Sequence, residues 1–289
     1  MAKYIDIHAH TNFKAFDEDR DDVIRRALDS DTWIINIGTQ YDTSKKAVEM
    51  TNEYEEGVFA CIGLHPIHTG ASYHDASELG SEGKEFTSRG EVFDKEKYKE
   101  LAKQGKVVAI GECGLDYYHM DEDSIEKQKE AFAEQIKLAN ELNLPLMLHV
   151  RNNPTHKTHN AYFDVYELLK KSSEVGLPKI RGVSHFFAGS VEDMKRFIEI
   201  GIYISFAGPI TYKPKPEICD YIAVIKETPL DMILADTDSP YVAPVPHRGD
   251  RNEPNYIKDI VRKIAEIKGL NEDEMAKIIF SNAQRLFKI

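Results

Sequence analysis

Two histidines, His8 and His10, stand at i and i+2 where the run Tyr4–His8 ends. Alternate residues of a strand share one face, so both imidazoles can be directed at a single ion. Alone, a His-x-His pair is a weak signal, because two core or surface histidines look the same. Recurrence gives it weight. Glu112 follows the run Val107–Gly111, His149 ends Pro145–His149, His185 follows Arg181–Ser184, and Asp238 lies just past Met232–Ala235. Four imidazoles and two carboxylates, with no thiolate, exceed what one closed tetrahedral ion takes. They suit two divalent ions that share a bridging carboxylate and activate a water for hydrolysis. Nitrogen and oxygen ligation favours Zn²⁺ or Mn²⁺, with Mg²⁺ less at home on four histidines.

Such a set needs a scaffold that brings strand ends together. Short apolar or β-branched runs recur at Tyr4–His8, Trp33–Gly38, Val58–Gly63, Val107–Gly111, Pro145–His149, Arg181–Ser184, Ile202–Ser205 and Met232–Ala235. Runs of this kind suit strands buried on both faces of a parallel sheet. Helical patterns alternate with them. In Ser124–Leu142, Phe132, Ile136 and Ala139 fall on one face, with Asp123 and Glu126 at capping-box spacing. Ser190 to Asp193 reads as a similar start; Ile257, Ile260, Val261 and Ile264 form another apolar stripe with Gly269 as its stop, and Asn271 caps a final helix ending near Phe287.

The alternation predicts an α/β fold: a single (β/α)8 barrel over residues 1–289, with a C-terminal helical extension and a long loop after the third strand. An open doubly wound sheet would want a Gly-rich phosphate turn after its first strand, where this chain has His8-Ala9-His10-Thr11. The segment Ile67 to Asp94 is far longer than an ordinary connection of roughly 2–6 residues and reads as an excursion over the barrel top.

Composition sets the outer bounds. The 289 residues carry 37 Lys+Arg against 49 Asp+Glu, a net charge of −12, which opposes indiscriminate coating of nucleic acid or anionic membrane while leaving room for a locally basic site. The three cysteines, Cys61, Cys113 and Cys219, have no metal or disulfide spacing. With no apolar leader at MAKYIDIHAH and no run near ~18 apolar residues, a cytoplasmic protein with no membrane partner is expected. No obligate protein partner is evident.

The segments DIHAHTNF, GLHP, IGECGLDYY, LMLHVR, GVSHFFAGS, LADTDSPYVAPVPHRGDRNEP and SNAQRLF, in that order from Asp6 to Phe287, resemble the TatD family of metal-dependent deoxyribonucleases, amidohydrolase-type barrels. The resemblance implies that His8, His10 and Asp238 hold one ion, His149 and His185 the other, and that Glu112 bridges. It implies Asp238 as general base, and His65 and Arg151 near the substrate, with DNA cleaved from its 3′ end. Asp236 stands where the family has Glu, and Asn152 where it has Asp.

Other readings stay open at this point. The same constellation would serve an ester or amide hydrolase, for example one that removes a D-aminoacyl group from tRNA; a non-enzymatic binding barrel is the third alternative. Arg151 would otherwise be a structural ion-pair partner. His68, His74, His156 and His159 read as solvated loop residues, His119 as a surface residue and Cys113 as packing. The run Asp17–Asp22 reads as a solvated helix start, and Tyr117 and Tyr118 would either stack on a base or cover the rim.

Overall fold

In the computed structural model, which describes residues 2–74, 86–118, 122–154, 159–174, 180–215 and 219–289, each of the eight apolar runs becomes a strand. They are β1 (Tyr4–Ala9), β2 (Thr32–Ile37), β3 (Val58–Ile62), β6 (Val107–Asp116), β7 (Leu146–Arg151), β8 (Gly182–Ser184), β9 (Ile202–Phe206) and β10 (Ile233–Ala235). They pair in parallel in that order. Ala9 bridges to Ser239 just past β10, so the sheet all but closes into a barrel. Between strands lie α1 (Arg20–Asp29), α2 (Tyr41–Thr51), α3 (Lys95–Leu101), α4 (Glu122–Leu142), α5 (Ala161–Glu174), α6 (Val191–Glu199) and α7 (Tyr221–Glu227), with α8 (Ile257–Lys268) and α9 (Glu272–Phe287) closing the chain.

Strands read as continuous apolar runs because both faces are covered. Ile5 and Ile7 of β1, Ile34, Ile35 and Ile37 of β2 and Ile202 and Ile204 of β9 are all buried, alongside Phe132, Ile136 and Ala139 from α4. A fully buried Phe such as Phe132 is worth ~3–5 kcal/mol against Ala. The expected stops hold. Ser190 and Asp193 cap each other's backbone N–H at the start of α6, Asn271 and Glu274 do so at α9, and Gly269 takes the left-handed φ of +69° that ends α8. Helix α4 begins at Glu122, one residue before the expected cap Asp123. The terminal helix is pinned to the barrel by Asn282 Nδ2, which donates to Leu230 O and Ile233 O at 2.8 Å.

Two places differ from expectation in ways that matter. The fourth barrel strand does not stop at Gly111 but continues to Asp116. Gly111 and Gly114 let it, because a Cβ at either would fall 2.4 Å or less from a carbonyl of β7, and both have positive φ, +150° and +137°. The long excursion is not plain loop in its described parts. It contains a 3-10 turn at Pro66–Thr69 and an antiparallel pair of β4 (Ser72–His74) and β5 (Phe86–Ser88). Glu91 ties the returning arm down, accepting from Tyr41 N at 3.2 Å and Tyr98 Oη at 3.0 Å.

Candidate metal centre

All six residues singled out by their strand-end positions converge. His8 Nε2 and His10 Nε2 are 3.2 Å apart; Asp238 Oδ1 lies 3.7 Å from the first and 3.4 Å from the second. Glu112 Oε2 faces the same pair at 3.4 and 3.8 Å. A tetrahedral ion with bonds of about 2.0–2.1 Å has ligand atoms roughly 3.3–3.4 Å apart. His8, His10 and Asp238 sit near that spacing and could hold a divalent ion, with Glu112 facing the two imidazoles.

The other carboxylate oxygen of Glu112 faces a different group. Glu112 Oε1 accepts from His149 Nδ1 and from His185 Nε2, each at 2.8 Å, with His65 Nε2 3.3 Å away. Glu112 therefore offers one oxygen to each group of imidazoles, a bridging disposition.

The ring nitrogens turned away from this centre decide which histidines are ligand-like. His10 Nδ1 lies 3.1 Å from Ile37 O; a carbonyl only accepts, so Nδ1 carries the proton and Nε2 offers its lone pair. His149 Nε2 donates to Asp116 Oδ2 at 2.9 Å, which leaves Nδ1 for an ion. His65 is the reverse. Its Nδ1 accepts from Ile67 N at 3.2 Å, so in the neutral ring Nε2 bears hydrogen and points a donor into the centre. His8 Nδ1 and His185 Nδ1 are buried without a partner, and the two rings stack at 3.6 Å.

Electrostatics follow from burial and crowding. Burial, joined by neighbouring His185, pushes His8 down to about 3, and burial keeps His65 below its ordinary value. Against burial, hydrogen bonds to Asp116 and Glu112 raise His149 to about 10, and Asp238 with Glu112 raises His10. Burial likewise opposes ionisation of Glu112, yet His65, His185 and His8 hold it well below the carboxylate range. His149 brings Asp116 to about 2 despite its burial, and Asp238 is lowered chiefly through His10. Asp236, whose Oδ2 accepts from Ser205 Oγ and Phe186 N, is instead pushed up to about 6 by burial.

Asp116 is the residue that sequence reasoning missed. With β6 ending at Asp116, positions 112, 114 and 116 share a face, and the carboxylate four residues beyond Glu112 reaches the same histidine. Beneath the ligands, Asp6 accepts from Thr237 N and Oγ1 at 2.9 and 2.5 Å, joining β1 to the loop that presents Asp238.

The remaining candidates sort out as follows. Arg151 is exposed at the end of β7, its guanidinium 4.0 Å from the centroid of the Tyr118 ring, and among the described residues it pairs with no carboxylate. Tyr118 is 41% exposed, whereas Tyr117 is buried and donates to Asp164 Oδ2 at 2.6 Å, so Tyr117 packs and Tyr118 is presented. His68 corrects the expectation of a solvated residue. It is buried, with its ring edge-on to His65 and Nδ1 2.6 Å from Ser72 Oγ. Cys113 points into the core. Asn152 accepts from Ala161 N at 2.7 Å and so starts α5. Of the acidic run, Asp19 forms a two-pronged pair with Arg251 at 2.9 and 2.6 Å. His159 is exposed; His119 and His156 lie outside the described residues.

Among the described residues, no helix is long and apolar enough to cross a membrane. The family model for TatD-related DNase matches residues 5–288. The chain is 39% identical over 287 residues to the metal-dependent hydrolase YabD of Bacillus subtilis, covering 98% of both chains. It is 31% identical to the 3′-5′ ssDNA/RNA exonuclease TatD of Shigella flexneri, again over 98% of both. The crystal structure of the TatD homologue YJJV from Escherichia coli superposes with a TM-score of 0.79 at 27% identity, covering 100% of this chain and 99% of that one. The chain belongs to the TatD family and is a metal-dependent hydrolase.

Proposed function

We propose that this hydrolase cleaves phosphodiester bonds of DNA, removing nucleotides from the 3′ end, as one catalytic domain over residues 1–289 with two divalent ions. Zn²⁺ or Mn²⁺ fits the nitrogen-rich donor set better than Mg²⁺. The observation that carries the reading is Glu112, whose two oxygens address separate imidazole groups. In this reading His8, His10 and Asp238 hold one ion, His149 and His185 the other, and Glu112 both. The name of the Shigella relative supports a polynucleotide substrate and its polarity.

Bound ions lower the pKa of a water and polarise a phosphoryl oxygen. Asp238, whose pKa His10 holds down against burial, takes the proton of the attacking water and passes it to the leaving oxygen. His65 presents Nε2–H to a developing charge, and the Arg151 guanidinium binds non-bridging phosphate oxygens while its Tyr118 neighbour offers a face to a base. Asp116 orients His149.

Hydrolysis of a 3′-labelled single strand is expected to stop on chelation and return with Mn²⁺ or Zn²⁺. An aminoacylated tRNA assayed beside it decides the bond. Turnover of only the aminoacyl ester would replace the nuclease reading by a deacylase, and no turnover with any ion would leave a binding protein.

A further inference from the structure

Several arginines of this acidic chain are held by carboxylates. Arg20, Arg25, Arg26, Arg196, Arg251 and Arg262 each sit within 4.0 Å of a carboxylate. Among the exposed arginines with no carboxylate partner in the described residues, two sit over a tyrosine ring. They are Arg151 over Tyr118 and Arg248, 4.5 Å from the centroid of the Tyr212 ring.

We propose that Arg248 and Tyr212 form a second contact for a single-stranded polynucleotide, across the barrel mouth from Arg151 and Tyr118; this rests on the nuclease reading above. Arg151 ends β7 and Tyr118 follows β6, whereas Tyr212 and Arg248 follow β9 and β10. The two junctions lie three strand positions apart round the eight-membered rim, and the ligand-bearing strand ends open between them.

The second platform is rigid and tied to the catalytic carboxylate. Arg248 lies in the loop that begins at Asp238, and Asn252 Nδ2 staples that loop shut by donating to Thr237 O at 2.7 Å and Tyr241 O at 2.6 Å. Tyr212 Oη donates to Ala243 O at 2.7 Å, and Val245 N to Thr211 Oγ1 at 2.9 Å. Gly208 allows the approach, since a Cβ there would stand 2.0 Å from Val242 O. Earlier in the same loop, Val242 and Val245 are 39% and 48% exposed and add apolar surface. Guanidinium for phosphate, ring for base and apolar shoulder for sugar are the elements of a sequence-tolerant single-strand contact. A strand engaged at both platforms crosses the centre between them, so affinity for length beyond one nucleotide is the property assigned to Arg248.

The test uses the full-length protein with bound metal and compares labelled oligothymidylate with bis(p-nitrophenyl) phosphate, a diester too small to span the mouth. For Arg248→Ala the ratio of the two kcat/KM values is expected to fall roughly five- to hundredfold. The slope of log affinity for the oligonucleotide against log salt should lose about 0.7. Anisotropy with metal-stripped protein reads binding without cleavage and should weaken by a similar factor, with Arg248→Lys recovering the salt slope. An unchanged ratio and slope overturn the platform, as does equal loss on both substrates, which marks a structural residue. Wild-type protein that binds the strand but never cleaves it overturns the nuclease reading alone, and wild-type protein that does not bind it overturns the platform.

Discussion

In the half of the site built from β1 and the loop after β10, His8, His10 and Asp238 present donor atoms 3.2 to 3.7 Å apart, and His10 is oriented by the main-chain carbonyl of Ile37. In the half built from β7 and β8, His149 and His185 close to 2.8 Å on one oxygen of Glu112, and His149 is oriented by the carboxylate of Asp116. The residue types are alike; the means of holding them are not. Carboxylates raise the proton affinity of an imidazole in both halves, His10 through Asp238 and Glu112, and His149 furthest, to about 10, through hydrogen bonds to Asp116 and Glu112. The second half must therefore exchange a firmly held proton for an ion, while His8, pushed down by burial, offers the first half a neutral ring.

Breaking the element common to both halves should have the largest effect. Glu112→Ala is expected to lose both ions by elemental analysis and to cut kcat/KM by about a thousandfold or more; a metal-replete, active variant would end the bridging assignment. Next in size, Asp238→Asn should lower kcat by roughly 10²–10⁴-fold, the usual worth of a general base. An unchanged kcat would move proton transfer elsewhere.

A finer cut separates the halves. Asp116→Ala should weaken one ion by roughly 10–100-fold and leave the other near wild type, as read by competition with a chromogenic chelator, while Asp116→Asn, which still accepts from Nε2–H, retains most of the affinity. Equal weakening of both ions would erase the distinction. The smallest effect is in protons. His149, held at about 10, carries both ring hydrogens at pH 7, so an ion that takes Nδ1 must expel one. Affinity in the second half should therefore rise with pH, by up to about tenfold per unit, and level off above about 10. Calorimetry in buffers of different ionisation enthalpy should register close to one proton released for that ion, and none would contradict the comparison.

Much of this arrangement was legible in the amino-acid order because a parallel barrel converts strand ends into neighbours. Once Glu112, His149, His185 and Asp238 were seen to end apolar runs, their meeting His8 and His10 followed from topology. What stayed hidden depended on exact strand length. Ending the fourth strand at Gly111 removed Asp116 from the face it shares with Glu112, and left Tyr117 and Tyr118 indistinguishable although alternation buries one and exposes the other. His68 was misread because a polar stretch gives no sign that its histidine folds back under the centre. The platform at Arg248 depends on a contact with Tyr212, 36 positions earlier, which periodicity does not reveal.

The barrel's seam carries one last consequence. His8 and His10 emerge from the first strand, whereas Asp238 arrives only after the last one has joined it, where Ser239 meets Ala9. During translation the opening imidazoles wait, chemically incomplete, until nearly the entire polypeptide has been made. A chain ending short of residue 238 would lack the carboxylate that closes on His8 and His10.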